Sequence, residues 1–113
     1  MITDFSFGRI VADGQTCSSD IKIIQGSLVT DWWRKSGHTV EIEDVQDALE
    51  ADPEILVIGK GQPGYMKTAD SLKNLLVNRN VTLIEEPTAK AIETFNRLSK
   101  EGRRVSGAFH VGC

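Results

Sequence analysis

Apolar positions change their rhythm halfway along the chain. In the first part they come in short, partly alternating runs separated by turn-forming dipeptides, which is the pattern of β-structure. Phe5, Phe7 and Ile10-Val11 supply the first apolar positions. Asp13-Gly14 suits the positive φ angles of a tight hairpin, and Gln15 to Cys17 is the expected return strand. Ser18-Ser19-Asp20 turns the chain into Ile21-Lys22-Ile23-Ile24, a β-branched strand. Gln25-Gly26-Ser27 turns it again, and Leu28 to Trp33 reads as a further extended segment. Together these form an antiparallel meander. Ser36-Gly37 breaks the chain, after which Val40 and Ile42 alternate with Glu41 and Glu43 as a short strand or edge segment. Asp44 is placed to cap a helix from Val45 to about Ala51, which Asp52-Pro53 ends.

From there the pattern becomes that of strands and helices in turn. Ile55-Leu56-Val57-Ile58 is a continuous apolar run of strand length, as expected of a strand covered on both faces. Gly59 to Gly64 is an irregular turn. Tyr65 to about Asn78 carries Met66, Ala69, Leu72 and Leu76, a helical stripe. Val81 to Ile84 is the next strand, and Thr88 is expected to cap a helix with the apolar face Ala91, Ile92, Phe95 and Leu98. Gly102 ends that helix, and Val105 to Val111 is the last strand. A β-α-β-α-β order calls for crossover connections and parallel strands with covering helices. The fold class is therefore α/β, in one domain over residues 1–113. The meander either extends the main sheet or packs as a second small sheet.

Composition narrows the partners more than the chemistry. Apolar residues make up 40% and charged residues 26%, ordinary for a globular domain. No run approaches the roughly 20 apolar residues of a membrane helix, and the first residues do not read as a secretory signal. The cytoplasm is the expected location, with no membrane partner. Residues 1–56 hold 4 Lys/Arg against 11 Asp/Glu, a net −7, and residues 57–113 hold 9 against 5, a net +4. With no dense basic run and with aromatics sparse in the basic half, nucleic acid is not an expected partner. Cys17 and Cys113 are too few for a disulfide framework and read as reduced thiols.

Gly59-Lys60-Gly61 followed by Gly64 has the spacing G-x-G-x-x-G after a buried strand. Glycines let backbone N–H groups turn toward a ligand, and a following helix start favours anions. The alternative is a turn that needs glycine for geometry alone. If it is a site, the ligand is a small anion held by Gly59, Lys60, Gly61 and Thr88, with Asn96 and Arg103 as side-chain contacts. Asn96 is otherwise a structural tie, and Arg103 and Arg104 are otherwise solvated or paired. His110 and Cys113 have chelating spacing, but a structural zinc site needs two such pairs, so no metal and no cofactor are expected. No G-x-S-x-G elbow or other catalytic constellation is present. Of the adjacent Trp32 and Trp33, one is expected in the core, and the other is either covered by a second packing layer or exposed as a candidate partner contact.

Ile58-Gly59-Lys60-Gly61 resembles the I-G-x-G turn of the family known as domain of unknown function 498, the Mth938-type domain. Pro87-Thr88, Ala91, Phe95-Asn96, Leu98, Glu101, Arg103 and Val105 resemble its second motif, and the likeness spans essentially the whole chain. The family includes the adipogenesis-associated domain protein and mitochondrial complex I assembly factor 3. The resemblance implies a three-layer α/β fold with a central mixed, mostly parallel sheet in which one strand is antiparallel, and no established reaction. Two functions stay open: a non-enzymatic protein-interaction or assembly module, and a binder of, or enzyme acting on, a small anionic ligand at the glycine turn. A homo-oligomer is compatible with both.

Overall fold

The computed structural model describes residues 1–112. Strands β1 (Ile2–Ser6), β2 (Arg9–Ala12) and β3 (Gln15–Cys17) form a small antiparallel sheet. Its second hairpin turns on Asp13-Gly14, with φ of +50° and +79°, the paired left-handed geometry that Asp-Gly accommodates. Gln25-Gly26, at +51° and +78°, joins β4 (Ile21–Ile24) to β5 (Ser27–Val29) in the same way. Then come β6 (Thr39–Val40), a 3-10 turn over Ile42–Val45, and α1 (Gln46–Glu50). The remaining elements are β7 (Ile55–Gly59), β8 (Lys67–Thr68), α2 (Asp70–Asn78), β9 (Thr82–Glu86), α3 (Thr88–Lys100) and β10 (Val105–Phe109).

The main sheet has the order β5-β4-β10-β7-β9. β10, β7 and β9 are parallel, while β4 pairs antiparallel with both β10 and β5. One strand thus opposes the other four, as the family resemblance implied. The meander divides: its first three strands make a separate layer, and the next two extend the main sheet.

Both faces of the main sheet are covered, which explains the uninterrupted apolar run. All of β7 is buried. Ile55 and Val57 face a core shared with Ile10, Ile21, Phe95 and Phe109. Leu56 and Ile58 face a second core with Trp32, Val45, Leu72 and Leu76. Each such side chain contributes about 1.5–3 kcal/mol by leaving water. The stripe Ala91, Ile92, Phe95 and Leu98 places α3 on the first face.

Several expected boundaries move, each because of a distant partner. The extended segment Leu28 to Trp33 leaves the sheet after Val29. Asp31 takes φ +55°, and Trp32 is drawn into the second core, its indole N–H donating to the Asp44 carbonyl at 2.8 Å. Of the expected short strand through Val40, Glu41, Ile42 and Glu43, only Val40 pairs, together with the preceding Thr39, because Ile42 already begins the 3-10 turn. Asp44 caps backward: its carboxylate accepts the Glu41 N–H at 2.8 Å, and α1 starts at Gln46. The helix expected from Tyr65 begins only at Asp70, because Lys67 and Thr68 pair in parallel with Thr39 and Val40. The last strand stops at Phe109 rather than Val111.

Gly107 shows how closely α3 lies on β10. A Cβ there would stand 2.5 and 2.6 Å from ring atoms of Phe109 and 2.9 Å from Phe95. Those two rings meet edge to face, 5.4 Å between centroids. Gly107→Ala is expected to lower stability by about 1–3 kcal/mol through overpacking. Urea denaturation reads this directly, and an unchanged midpoint would refute the account.

Candidate functional site

The glycine turn lies at the carboxyl end of β7, beside the parallel ends of β9 and β10, where open α/β sheets bind ligands. Its interior is already occupied. Thr88 has no exposed surface. Its hydroxyl donates to the His110 carbonyl at 2.6 Å and accepts the Gly61 N–H at 2.9 Å. The Thr88 N–H in turn donates to the Gly61 carbonyl at 3.0 Å. Gly59 is needed for close approach, since a Cβ would stand 3.0 Å from both the Thr88 hydroxyl and the Phe109 ring. Thr88 therefore stands inside the first turn of α3 as a bracket rather than at its cap. Pro87 holds the cap position, and the Gln62 side chain accepts the Ala89 N–H at 3.1 Å. The glycine turn runs into β8 instead of a helix, so no helix start faces it from its own chain direction. The Lys60 N–H donates to the Glu86 carbonyl at 2.8 Å. An anion at Gly61 would have to displace the Thr88 hydroxyl.

Asn96 and Arg103 stand elsewhere, toward the amino end of the parallel strands. The Asn96 amide clamps Ile2, accepting its N–H at 3.2 Å and donating to its carbonyl at 2.7 Å. Arg103 holds Glu54 through Nε at 2.8 Å and Nη2 at 2.7 Å. The Arg104 N–H donates to the same carboxylate at 3.2 Å. The Arg103 hydrogen bond first, then the Arg104 amide, holds the Glu54 carboxyl below its ordinary range. Both residues line a cavity of about 360 Å³ together with Ile23, Phe95 and Val105. The six expected contacts thus separate into two groups at opposite ends of the sheet.

A polar cluster that local sequence does not single out lies beside the glycine turn. Asp20 immediately precedes β4 and His110 immediately follows β10, and the pairing of Ile21 with Phe109 brings them together. Asp20 Oδ2 stands 2.9 Å from His110 Nδ1 and 2.8 Å from Arg34 Nη1, and Oδ1 accepts the Val111 N–H at 2.7 Å. Asp20 only accepts, so the ring bond forms with the proton on Nδ1. The Arg34 guanidinium also donates to the Gly37 carbonyl through Nε and Nη2 and stacks over Trp32 at 4.6 Å. His38 meets His110 edge to face. Asp20 reads from sequence as a turn residue and Arg34 as nothing, because the signal is a strand pairing across 90 residues. Asp20, Trp32, Arg34 and His110 line a cavity of about 460 Å³ that the exposed Trp33 also borders. Cys17 is a buried free thiol, which burial first and the Asp31 carboxylate second push upward, away from thiolate reactivity. The expected readings of Cys113, as a thiol and as a partner of His110, lie outside the described residues. Among the described residues, no helix is long and apolar enough to cross a membrane.

The profile of the family described as "Protein of unknown function (DUF498/DUF598)" matches residues 2–110. A solved structure named MT938 is 28% identical, with a TM-score of 0.82 over 100% of this chain and 98% of that one. A conserved hypothetical protein from Pyrococcus horikoshii OT3 is 24% identical, with a TM-score of 0.84 over 100% of this chain and 99% of that one. A protein from Bordetella parapertussis is 25% identical, with a TM-score of 0.77 over 97% and 93%.

Two outcomes follow from the two ends of the sheet. Thr88→Val keeps the shape but leaves the Gly61 N–H and the His110 carbonyl unpaired, so stability falls by about 1–3 kcal/mol, while Thr88→Ser loses less. Equal losses in urea titrations would show that the hydroxyl is not the bracket. The depressed Glu54 carboxyl contributes stability that is present above the ordinary carboxyl range near about pH 4.3 and is lost as pH falls through its lower folded value. The melting-temperature gap between wild type and Glu54→Gln is therefore full at neutral pH and closes in acid. A gap that stays constant down to about pH 2 would contradict this.

Proposed function

The chain belongs to the DUF498/DUF598 family, and from that premise we propose that it is a non-enzymatic interaction or assembly module that docks a partner protein on the carboxyl end of its main sheet. The observation that supports this is a set of exposed aromatic side chains on loops tied to one short segment. Phe7, Trp33 and Tyr65 are 65%, 85% and 68% exposed. Next to Phe7, the Gly8 N–H donates to the Val111 carbonyl at 2.7 Å. In the loop before Tyr65, the Gln62 N–H donates to the Gly112 carbonyl at 2.9 Å. Next to Trp33, Arg34 pairs with Asp20, which holds Val111.

Water does not favour three large rings on anchored loops, whereas the centre of a protein interface does. Trp and Tyr dominate such centres because they bury large area at small entropic cost. The buried Asp20–Arg34–His110 cluster acts as the rigid base that holds the rings in place. Pre-organised loops lose little freedom on docking, and this raises affinity.

Cross-linking in native lysate, followed by mass spectrometry, tests the reading. Trp33→Ala is expected to lower recovery of the wild-type partner at least about tenfold, with Tyr65→Ala in the same direction. Val77→Ala removes an equally exposed side chain on α2 and should leave recovery unchanged. Equal recovery across all variants, or no partner with the wild type, would reject the docking face.

A further inference from the structure

The cavity at the amino end of the parallel strands has a consistent chemistry of its own. It opens where the second half of α3, the β4–β5 turn and the start of β10 meet. Its walls include the buried side chains of Ile23 and Phe95 and the half-buried Val105. At about 360 Å³ it falls at the small end of the roughly 300–1,000 Å³ range of small-molecule sites. Among the described residues, the formally charged groups on its lining are the Arg103 and Arg104 side chains and the Met1 ammonium, which Asp13 pairs.

Those two guanidinium groups share one carboxylate. Glu54 takes both Nε and Nη2 of Arg103, but Arg104 Nη1 stands 3.8 Å from it, and Arg104 Nε donates to the Asp52 carbonyl at 3.2 Å. One positive charge is left in excess beside an apolar wall. Arginine recognises carboxylates through paired N–H groups, and Glu54 already displays that recognition within the chain. We infer that this cavity binds a small carboxylate carrying a compact apolar body, with the apolar part against Ile23, Phe95 and Val105 and the anionic group held by Arg104 and Arg103. The site is independent of the docking face, which lies at the other end of the sheet.

Glu54 gives the inference an unusual sign. As an internal carboxylate it competes with the ligand for the same guanidinium groups, so removing its charge strengthens binding even though it weakens the fold. Octanoate serves as the probe, with octanol as its neutral counterpart, in amide NMR titrations of the full chain. Saturable shifts are expected at Ile23, Gly26, Asn96 and Val105, with octanol at least about tenfold weaker. Arg104→Gln is expected to weaken octanoate severalfold, and Glu54→Gln to tighten it severalfold. Ser99 is exposed on α3 and lines the cavity, so Ser99→Trp fills the space without disturbing the core and abolishes the shifts. The inference is overturned if these amides do not shift up to about 10 mM octanoate. It also fails if octanol matches octanoate, if Ser99→Trp leaves the affinity unchanged, or if Glu54→Gln does not tighten binding.

Discussion

One buried hydroxyl, that of Thr88, sets the arrangement at the carboxyl end of the main sheet. It joins the glycine turn after β7 to the residue that follows β10, from a position inside the first turn of α3. Three elements distant in sequence are fixed by two hydrogen bonds that have no water to replace them. The absence of a side chain at Gly59 follows from the same packing, because Thr88 and Phe109 fill the space where its Cβ would go. With His110 held in this way, its side chain meets Asp20, and Asp20 in turn holds Val111 and Arg34. The loops that carry the exposed rings all hang on this chain of contacts.

The charged side chains buried beside the apolar core are paired, while the buried His110 Nε2 has no hydrogen-bond partner among the described residues. The Arg34 side chain is 6% exposed and that of Asp20 12%. Isolated, each would cost several kcal/mol to desolvate, so the pair holds only with its further bonds to Gly37 and Val111. Lys22 follows the same logic within β4, and it shares the Asp44 carbonyl with the Trp32 indole. Its neighbours Ile21 and Ile23 enter one core, so alternation sends Lys22 into the other, where its ammonium reaches both Asp47 oxygens at 2.7 and 2.8 Å. That contact fastens α1 to the sheet.

What was legible in the sequence was what the chain decides locally. Asp13-Gly14 and Gln25-Gly26 turn where two residues of suitable φ permit it, and the runs at β7 and α3 declare their covered faces by their period. The start of α2 was not legible, because Met66 fits a helical stripe as well as it fits the core it enters, and only the pairing of Lys67 and Thr68 with β6 decides. The candidate site divides along the same line. Gly59, Gly61 and Thr88 do converge, but on each other, and nothing local distinguishes a glycine turn that awaits a ligand from one that encloses a threonine. Asn96 was legible as a tie, yet its partner Ile2 lies 94 residues away. Asp20 and Arg34 gain their meaning only from the antiparallel pairing of β4 with β10.

Sheets of this topology ordinarily bind ligands at the carboxyl ends of their strands, because the loops there diverge and leave a crevice. In this chain Thr88 takes up the Gly61 amide, and Asp20 and Arg34 tie the neighbouring loops together, so the crevice of about 460 Å³ that remains there is lined by Asp20, Arg34 and His110 rather than by free glycine amides. The opposite end has the complementary character. There the β4–β5 turn and the last turns of α3 do not meet over the start of β10, apolar wall stays accessible, and two arginines compete for one carboxylate. A fold shared with proteins of 20–28% identity does not carry chemistry with it. The differing linings of the two ends are a property of these particular side chains, and they are why the proposed docking face and the proposed carboxylate site fall at opposite ends of the sheet.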